Sequence, residues 1–458
     1  MDFDVAIIGG GSAGYAAASS AQALGAKVAI IDPGPLGGLC ILKGCMPTKA
    51  ILRSSDIMAL MRRAKEFGIQ PVDAQAHLSA INDRKNKLIK EFADYRIEQL
   101  NSPRFTLIEE RAQFISPHEI QIGNKFLKAR SFIIATGSVI ANYSVPGLKE
   151  TGFVTSDDIL KMREAPDSII VLGAGAVAVE LAQFLLRIGV KVTLLQRSEH
   201  ILSKGDEDLA RPVESRFREE GMDLYTSTKI LRAEKKPEGS VIYFEHEGKE
   251  KKVRAQYILQ ALGRRPNTDN LQLESAKIET QKSCIPVDSK MKTNQPHIYA
   301  VGDVNGIHEV VHIAIQQGEI AGYNAINSEN ERELDNRLKA SVVFTDPGVA
   351  SVGLSEKECQ ANNIAYLTAS YSFDDHGKSM CLGEKHGHVK LLCNPVSGEV
   401  IGGHIVGPEA GELIHEIITL MHFRGTVKDM LAIPHYHPTL AEILTYPAEE
   451  LFDKLLSS

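Results

Sequence analysis

The sequence has the length, composition and charge of a globular protein with several domains. Its 458 residues are 43% hydrophobic, and a chain of this length corresponds to about three domains. It carries 51 basic and 58 acidic residues, for a net charge of −7, which argues against a general nucleic-acid binder. Six cysteines are too few for a disulfide-stapled secreted scaffold.

The N-terminus is apolar enough to resemble a signal peptide, but it lacks the basic start that such a signal needs. Asp2 and Asp4 precede the first basic residue, Lys27. No other stretch of the sequence reaches a membrane-spanning length without charge. We therefore expect a cytoplasmic protein with no membrane partner.

Two segments, residues 4–32 and residues 168–196, repeat the same pattern. Each contains a short β-branched run, a glycine turn, an Ala- and Leu-rich stretch and a second short run. This order is typical of a βαβ unit with two parallel strands. The repeat therefore predicts two nucleotide-binding domains.

The glycine turn of the first segment carries a GxGxxG motif, formed by Gly9, Gly11 and Gly14. In this motif the first glycine permits a tight turn, the second lets a pyrophosphate approach the backbone, and the third packs the helix against the strand. Asp32 ends the second predicted strand, where a carboxylate can bind a ribose. A glycine motif alone is weak evidence, but the strand, the helix and the acid together favour a dinucleotide site.

The second segment carries a GxGxxA motif, formed by Gly173, Gly175 and Ala178. Gln196 stands at the position that is acidic in the first segment, and Arg197 follows it. An acid there holds the ribose 2′-hydroxyl of NAD, whereas an arginine can bind a 2′-phosphate. We therefore expect NADP(H) to be used at least as well as NAD(H); the alternative is that Arg197 points into solvent.

Two later segments fit a nucleotide-binding domain that is interrupted by an insertion. Residues 129–138 predict a strand that enters a turn at Thr136 and Gly137. Residues 297–306 predict a strand followed by Asp303. That side chain can bind a hydroxylated chain beside a helix N-terminus, or it can simply cap a helix.

Beyond about residue 338 the pattern changes to strand-like runs, followed by two predicted helices at about 409–424 and 439–455. This pattern indicates an α+β domain. We therefore predict an α/β fold with two Rossmann-like nucleotide-binding domains and a C-terminal α+β domain.

Cys40 and Cys45 lie close together in the segment GGLCILKGCMPTK, residues 37–49, and such a pair suggests redox chemistry. On a regular helix their Cα atoms would be about 7.5 Å apart along the axis, whereas a disulfide needs roughly 4.4–6.8 Å. The first helical turn must therefore be distorted, which Gly44 permits. Two structural thiols and a metal-binding pair are the alternatives. A second cysteine pair is missing, so we predict no metal site.

The pattern Gly-Gly-x-Cys-x4-Cys-x-Pro-Thr-Lys after an N-terminal GxGxxG resembles the FAD-dependent class I pyridine nucleotide–disulfide oxidoreductases. This family includes lipoamide dehydrogenase, glutathione reductase and mercuric reductase. The segment HYHPTLAE, residues 435–442, resembles the family's His-Pro-Thr-x-x-Glu motif, and the resemblance covers essentially the whole chain. It implies FAD and NADP or NAD as cofactors, a homodimer, and a small-molecule disulfide or dithiol as substrate.

The resemblance also implies roles for the matching residues. Cys45 would face the flavin, and Cys40 would exchange with the substrate. His437 would be the acid and base for the thiols across the dimer interface, because an imidazole titrates near neutral pH. Glu442 would orient that imidazole, and we interpret His435 as a surface residue.

Three further residues follow from the same resemblance. Lys49 and Glu180 would pair beside the flavin. Gly263, an expected NAD(P)-binding residue, opens the segment GRRPN, where the chain returns from the NAD(P) domain to the FAD domain. The implied divisions are the first part of the FAD domain at 1–148, the NAD(P) domain at 149–266, the second part of the FAD domain at 267–337 and a C-terminal dimerisation domain at 338–458.

Differences within the family bear on the substrate. Glutathione reductases carry two arginines on the first helix, where this sequence has Ser19 and Ser20. Mercuric reductases end in a cysteine pair, whereas this chain ends in LFDKLLSS, although its nucleotide segment VELAQFLLRIGVKVTLLQRS resembles theirs. HYHPTLAE and His312 resemble lipoamide dehydrogenases, which implies a lipoyl-bearing 2-oxo acid dehydrogenase complex as a partner. We therefore expect lipoamide dehydrogenase-like activity; the alternatives are glutathione or mercuric reduction, a transhydrogenase or diaphorase, and a redox-silent FAD protein.

Overall fold

The computed structural model describes residues 1–457 of the chain. The strands are β1 (Phe3–Ile8), β2 (Val28–Ile31), β3 (Thr106–Ile108), β4 (Ala112–Ser116), β5 (Glu119–Ile122), β6 (Lys125–Ile134), β7 (Ser138–Ile140), β8 (Ser168–Leu172), β9 (Lys191–Leu195), β10 (Asp223–Tyr225), β11 (Lys229–Lys236), β12 (Gly239–His246), β13 (Lys249–Ala255), β14 (Tyr257–Gln260), β15 (Arg264–Pro266), β16 (Ile298–Ala300), β17 (Ala340–Val343), β18 (Gly348–Gly353), β19 (Leu367–Ser372), β20 (His388–Cys393) and β21 (Val400–Gly407). The α-helices are α1 (Ser12–Ala23), α2 (Gly38–Leu42), α3 (Cys45–Arg62), α4 (Leu78–Leu100), α5 (Ser156–Ile159), α6 (Ala176–Arg187), α7 (Glu207–Glu219), α8 (Val311–Asn324), α9 (Glu356–Ala361), α10 (Gly377–Leu382), α11 (Ala410–His422), α12 (Val427–Ala432) and α13 (Thr445–Leu456).

The chain forms two compact units. The first unit comprises residues 1–50, 83–142 and 263–335, and the second unit comprises residues 51–82, 143–262 and the described chain from residue 336 onward. The division into four sequence segments stays a prediction. Within residues 1–457, no helix combines the length and the apolar composition that a membrane span requires.

The first unit is built on a sheet with a parallel core. Strands β3, β2, β1 and β6 lie in that order, β16 also pairs with β6, and the antiparallel strands β5 and β4 continue the sheet. Strand β1 pairs with β2 from Val5↔Val28 to Ile8↔Ile31. Both apolar runs are buried along this whole length, the pattern of strands covered on both faces. The first predicted βαβ unit is confirmed.

Helix α1 packs against α8 through small residues. Ala13 and Ala17 of α1 are buried. A Cβ atom on Gly318 would lie 2.2 Å from the carbonyl oxygen of Ala13, and one on Gly322 would lie 2.3 Å from that of Ala17. Because a side chain at either glycine would collide with the α1 backbone, the two helices can approach this closely only with glycine there. This packing holds the N-terminus of α1 at the glycine turn after β1.

The second unit contains a four-stranded parallel sheet in the order β10–β9–β8–β14. Strands β8 and β9 pair from Ser168↔Lys191 to Leu172↔Leu195 and are joined by α6. Phe184 of α6 is fully buried. The second predicted βαβ unit is therefore confirmed. A separate antiparallel sheet consists of β11, β12 and β13.

The C-terminal part of the second unit is α+β, as predicted. Its five antiparallel strands lie in the order β17–β18–β21–β20–β19, and buried side chains of α11 and α13 join their core. One predicted boundary is wrong: the helix expected from residue 439 begins at Thr445, after a short 3-10 helix at Ala441–Leu444. The cause is local, because the Glu442 carboxylate turns back to accept a hydrogen bond from the Thr439 amide at 2.7 Å.

Candidate active site

The cysteine pair lies where two helices meet in the first unit. Helix α2 carries Cys40 and ends at Leu42, and α3 begins at Cys45. Between them, a Cβ atom on Gly44 would lie 3.1 Å from the carbonyl oxygen of Leu39 and 3.2 Å from Cα of Cys40. The regular helix is therefore broken between the two cysteines, as their spacing required, and glycine allows the close approach.

Cys45 is exposed, and Cys40 is partly buried. A hydrogen bond with Cys45, together with burial, raises the pKa of the Cys40 thiol, and the charge of Lys49 acts in the opposite direction. The Thr48 hydroxyl closes the first turn of α3 by donating to the carbonyl oxygen of Gly44 at 2.8 Å. Two thiols within hydrogen-bonding distance have the proximity that dithiol–disulfide exchange requires.

The GxGxxG turn of the first unit is shaped for a phosphate. Gly9 has a φ of +110°, and a Cβ atom there would lie 2.4 Å from the carbonyl oxygen of Ala135. A Cβ atom on Gly14 would lie 1.9 Å from the carbonyl oxygen of Gly9. Helix α1 starts after Gly11 with no side-chain cap and no acidic residue in its first turn. Its first N–H groups can therefore bind an anionic group.

Asp32 stands beside this turn. Its Oδ2 atom accepts a hydrogen bond from the amide of Gly10 at 2.6 Å, and its Oδ1 atom accepts one from Gly34 at 2.8 Å. Each carboxylate oxygen can accept a further hydrogen bond. The side chain is therefore held in place with capacity left for ribose hydroxyls.

Two more predicted positions lie in the same unit. Asp303 follows β16, and its Oδ2 atom accepts a hydrogen bond from the Ser138 hydroxyl at 2.6 Å. The Thr136 hydroxyl donates to the carbonyl oxygen of Asn267 at 2.7 Å. Arg264, which the sequence did not single out, donates through Nε to the Ser138 hydroxyl at 2.8 Å.

The predicted FAD residues all follow strands of the parallel core, and the carboxyl ends of parallel strands meet at one edge of a sheet. We call this edge the flavin cradle; it comprises Gly9, Gly11, Gly14, Asp32, Thr136, Gly137 and Asp303. Glycines that a Cβ would obstruct, an uncapped helix N-terminus and two carboxylates fit the pyrophosphate and hydroxyl groups of FAD.

The GxGxxA turn of the second unit has a similar shape. A Cβ atom on Gly173 would lie 2.6 Å from the carbonyl oxygen of Ala261, whereas the space around Gly175 is open to 4 Å. Ala178 is buried in α6. This turn fits the pyrophosphate of NAD(P). Gly263 belongs to the first unit, and its part in NAD(P) binding stays a prediction.

The two residues predicted to read the ribose 2′ position follow β9. Gln196 is buried, and its Nε2 atom lies 3.4 Å from the carbonyl oxygen of His200. Arg197 is exposed. Neutral Gln196 places no negative charge where a 2′-phosphate would lie, but the selectivity itself stays a prediction.

His437 and Glu442 are hydrogen-bonded to each other. The Nδ1 atom of His437 lies 2.8 Å from Oε1 of Glu442. Because an ionised carboxylate can only accept, Nδ1 carries the hydrogen and Nε2 is left for other partners. The hydrogen bond from the Thr439 amide, followed by the one from His437, lowers the pKa of Glu442. The imidazole is thus oriented by a carboxylate that stays ionised.

The surface interpretation of His435 is wrong. Only 7% of its side chain is exposed, and its Nε2 atom lies 2.6 Å from Oε1 of Glu416 on α11. Its Nδ1 atom lies 2.9 Å from the carbonyl oxygen of Ile433. Both ring nitrogens therefore lie within hydrogen-bonding distance of an oxygen atom.

The predicted Lys49–Glu180 pair is divided between the two units. Lys49 acts electrostatically on Cys40 within the first unit. Glu180 is buried in the second unit, where its Oε1 atom accepts a hydrogen bond from the Phe344 amide at 3.0 Å. The pairing of the two side chains stays a prediction.

Two protein families together match most of the chain. Residues 3–318 match the family described as pyridine nucleotide-disulphide oxidoreductase. Residues 339–448 match the dimerisation domain of pyridine nucleotide-disulphide oxidoreductases. The second match supports a homodimer.

Two curated relatives illustrate the range of the family. The chain is 33% identical over 458 residues to a mercuric reductase from Staphylococcus aureus, and the alignment covers 100% of this chain and 83% of the relative. It is 31% identical over 446 residues to a dihydrolipoyl dehydrogenase from Bacillus subtilis (strain 168), and this alignment covers 96% of each protein. At this level of identity the substrate does not follow from the relatives' names.

Two solved structures share the fold over nearly their whole length. LpdA from Mycobacterium tuberculosis superimposes with a TM-score of 0.87 at 28% identity, covering 98% of this chain and 99% of the other. The HOCl-induced flavoprotein disulfide reductase RclA from Escherichia coli gives a TM-score of 0.85 at 23% identity, covering 97% and 99%. Family, sequence and fold comparisons thus agree with the motifs, and the chain belongs to the class I pyridine nucleotide–disulfide oxidoreductases, flavoproteins that use FAD and NAD(P)H.

Proposed function

We propose that this flavoprotein passes two electrons between NAD(P)H and a small disulfide through a Cys40–Cys45 disulfide. The observation that carries the proposal is the contact between the cysteine segment and the flavin cradle. Gly38, the first residue of α2, comes so close to the glycine turn that a Cβ atom there would lie 2.7 Å from Cα of Gly11. The helix that carries Cys40 therefore begins against the turn suited to the FAD pyrophosphate.

Cys40 and Cys45 carry out successive steps of disulfide reduction. The Cys40 thiolate attacks one sulfur of the substrate, the substrate S–S bond breaks, and a mixed disulfide forms. The Cys45 thiolate then attacks the Cys40 sulfur, which releases the second substrate thiol and closes the Cys40–Cys45 disulfide. Each leaving thiolate takes up one proton, so the substrate gains two electrons and two protons. Bound FAD supplies the route by which two electrons from NAD(P)H open the protein disulfide again.

His437 of the partner subunit is proposed as the proton donor to the leaving thiolates and as the base in the reverse direction. An imidazole can fill both parts near neutral pH. The support is the hydrogen bond to Glu442, which fixes the tautomer and leaves Nε2 available. Within one subunit 80% of the His437 side chain is exposed, as expected for a group that acts on a second chain.

We propose dihydrolipoamide and NAD(P)⁺ as the reactants in the oxidative direction, giving lipoamide and NAD(P)H. The HYHPTLAE segment and the similarity to a dihydrolipoyl dehydrogenase support this choice. Ser19 and Ser20 replace the arginines that would favour glutathione. The corresponding setting is a cytoplasmic homodimer that serves a lipoyl-bearing 2-oxo acid dehydrogenase complex.

Mercuric reduction is the second candidate, favoured by the 33% identity to a mercuric reductase over the full chain. Thiolates are ligands that suit a soft metal ion, so Cys40 and Cys45 would hold Hg(II) while it accepts two electrons. Glutathione reduction and diaphorase activity complete the alternatives.

A turnover panel tests these proposals on the purified holoenzyme. The substrates are dihydrolipoamide, lipoamide, oxidised glutathione, Hg(II) and a quinone, each with NAD(H) and NADP(H), in wild type and Cys45→Ser. We expect the lipoyl pair to give the highest kcat/KM and the variant to lose it while retaining quinone reduction, which needs only the flavin. Efficient glutathione or Hg(II) reduction without lipoyl activity would overturn the substrate assignment. Full disulfide turnover by Cys45→Ser would overturn the mechanism.

A further inference from the structure

The first unit contains a cavity of about 400 Å³ that the flavin cradle does not use. Ser19 and Ser20 on α1 line one side of it. Arg96 on α4 and Arg332 line other parts of it. The two serines that replace the glutathione-binding arginines therefore face a cavity that has its own arginines, supplied by other parts of the chain.

Arg96 is held in this cavity with an incompletely bonded guanidinium group. Its Cζ atom stacks 4.2 Å from the centre of the Tyr15 ring. Its Nε and Nη1 atoms are shielded from solvent and have no hydrogen-bond partner in the described chain. The hydroxyl of Ser19, which lines the same cavity, is also buried without a partner. Buried donors of this kind are costly in a folded protein, which suggests that a ligand completes them.

Within residues 1–457, no carboxylate group forms an ion pair with Arg96. Burial lowers its pKa, and the groups that oppose this are Tyr15, Cys40 and Tyr95. Glu319 also lines the cavity but has an exposed side chain, and it is not among those groups. Arg332, the second arginine, stacks with its Cζ atom 3.8 Å from the centre of the Tyr323 ring. Arg96 is thus a cation that lacks an anionic partner.

The cavity adjoins the cysteine proposed to exchange with the substrate. Ser12 lines the cavity and follows Gly11, and a Cβ atom on Gly38, two residues before Cys40, would lie 2.7 Å from Cα of Gly11. In keeping with this proximity, a negative charge on Cys40 raises the pKa of Arg96. Both belong to the first unit. A molecule that presents a disulfide to Cys40 can therefore reach a positive charge in the adjoining cavity.

We propose that Arg96 determines substrate specificity by binding an anionic group, such as a carboxylate, of the disulfide that Cys40 attacks. Guanidinium N–H groups donate charge-assisted hydrogen bonds to carboxylate oxygens, which would give an unpaired donor of Arg96 a partner, with the Ser19 hydroxyl as an additional donor. The inference rests on the proposed function and specifies the charge of its substrate. It predicts that an acidic disulfide, such as lipoate, is preferred over a neutral one of the same shape, such as lipoamide.

The first test needs no knowledge of the substrate. Iodoacetate and iodoacetamide differ by one negative charge and alkylate the same thiolate, so the ratio of their rates at Cys40 reports the local charge. The NAD(P)H-reduced holoenzyme is treated with each reagent, and the Cys40 peptide is quantified by mass spectrometry. We expect Arg96→Met to lower the iodoacetate-to-iodoacetamide ratio by roughly three- to tenfold. Arg96→Lys, which retains the charge, should keep most of the ratio.

Arg111→Met is the matched control, because it removes an exposed arginine of the same unit that does not line the cavity. Its alkylation ratio should equal that of wild type. The FAD absorbance spectrum of each variant verifies that the protein is folded and loaded. If Arg96→Met and Arg96→Lys both retain the wild-type ratio, the inference is wrong.

The second test compares turnover of charge-matched pairs, lipoate with lipoamide and 5,5′-dithiobis(2-nitrobenzoate) with neutral 4,4′-dithiodipyridine. Wild type should favour the acidic member of each pair in kcat/KM. Arg96→Met should remove the preference by raising KM for the acidic member while leaving the neutral one unchanged. Unaltered ratios in Arg96→Met would overturn the inference and leave the proposed function intact. A wild type that reduces no disulfide would overturn the proposed function, and the alkylation ratio would still decide on Arg96.

Discussion

The Nδ1 atom of His437 lies 2.8 Å from the Oε1 atom of Glu442, and the same carboxylate accepts a second hydrogen bond from the Thr439 amide. A backbone amide therefore holds the Glu442 carboxylate in the position from which it orients the imidazole ring. Positioned in this way, the imidazole can give up or take up a proton at Nε2 without changing its hydrogen bond to the carboxylate.

Replacement of Glu442 should impair proton transfer without affecting the flavin. We expect Glu442→Gln to lower kcat for disulfide reduction by about 10- to 100-fold, because a neutral amide cannot stabilise the imidazolium. NAD(P)H-dependent quinone reduction should stay at the wild-type rate. Glu449→Gln, an exposed position on α13, is the control and should leave both rates unchanged. Equal losses of disulfide and quinone reduction in Glu442→Gln would indicate a structural defect instead.

The proposed composite site predicts complementation between defective subunits. Homodimers of Cys40→Ser and of His437→Ala should each be weak, because each lacks one half of every site. Mixed dimers should regain one competent site, in which an intact cysteine pair meets an intact His437 of the partner subunit. The measurement is disulfide turnover after subunit exchange, with two differently tagged chains to isolate the mixed dimer. Activity of mixed dimers no higher than that of the parents would contradict the shared site, as would full turnover by a monomeric species.

The cofactor preference can be changed at the end of β9. Gln196→Glu should shift the ratio of kcat/KM for NADPH over NADH toward NADH by about tenfold, because the new carboxylate would bind a ribose 2′-hydroxyl and repel a 2′-phosphate. Arg197→Gln should weaken NADPH use with little effect on NADH. Steady-state kinetics with both cofactors measures these kcat/KM values in wild type and in each variant. A wild type strongly selective for NADH, or a Glu variant with an unchanged ratio, would show that these residues do not read the 2′ position.

A buried lysine of the second unit offers a test of stability. The Nζ atom of Lys390 lies 2.9 Å from Asp206, 2.8 Å from Asp208 and 3.1 Å from Glu356, and only 3% of the side chain is exposed. Burial by itself would raise the pKa values of both aspartates. Hydrogen bonds from Lys390, and for Asp208 from His388 as well, lower them below their usual range. Lys390→Met should therefore destabilise the fold by about 3 kcal/mol at neutral pH, because it leaves the buried Asp206 carboxylate without a counter-charge.

The sign of the pH dependence follows from these pKa values. The aspartates ionise more readily in the folded than in the unfolded chain, so their contribution is complete above the unfolded pKa of about 4 and is lost as the pH falls through the lower folded pKa. The difference in apparent Tm between wild type and Lys390→Met should be largest near neutral pH and shrink below about pH 4. Lys385→Met, at an exposed position, is the control. A Tm difference that grows on acidification would contradict this assignment.

The parts of the fold and site that the sequence predicts are those encoded within short segments. Gly14 and Gly44 stand in sequence next to the turns that require them, and the structure shows a close approach to a nearby backbone segment at each. His437 and Glu442 are five residues apart in the sequence, and their side chains are hydrogen-bonded to each other. The spacing of these residues in the sequence was sufficient because only a few residues separate the groups that come into contact.

The parts that escaped prediction depend on contacts between distant segments. His435 is buried because α11 brings Glu416 to its ring, which no pattern near His435 indicates. Arg96 lies near the C-terminal end of a polar helix, where an arginine is usually solvated, and only folding places it beside Tyr15 and near Cys40. Neither segment carries a motif that specifies its partner.

The central claim is that electrons reach the substrate through the Cys40–Cys45 disulfide. The most direct measurement is an anaerobic reductive titration of the oxidised holoenzyme, followed by flavin absorbance and by mass-spectrometric counting of free thiols at the two positions. The account predicts that wild type takes up two electrons beyond those held by FAD, shows a long-wavelength band at the two-electron stage, and gains free thiols at Cys40 and Cys45. Cys45→Ser should take up only the electrons of the flavin and lack the band. A wild type that accepts no electrons beyond the flavin, or a Cys45→Ser enzyme that keeps both the band and disulfide turnover, would contradict the claim.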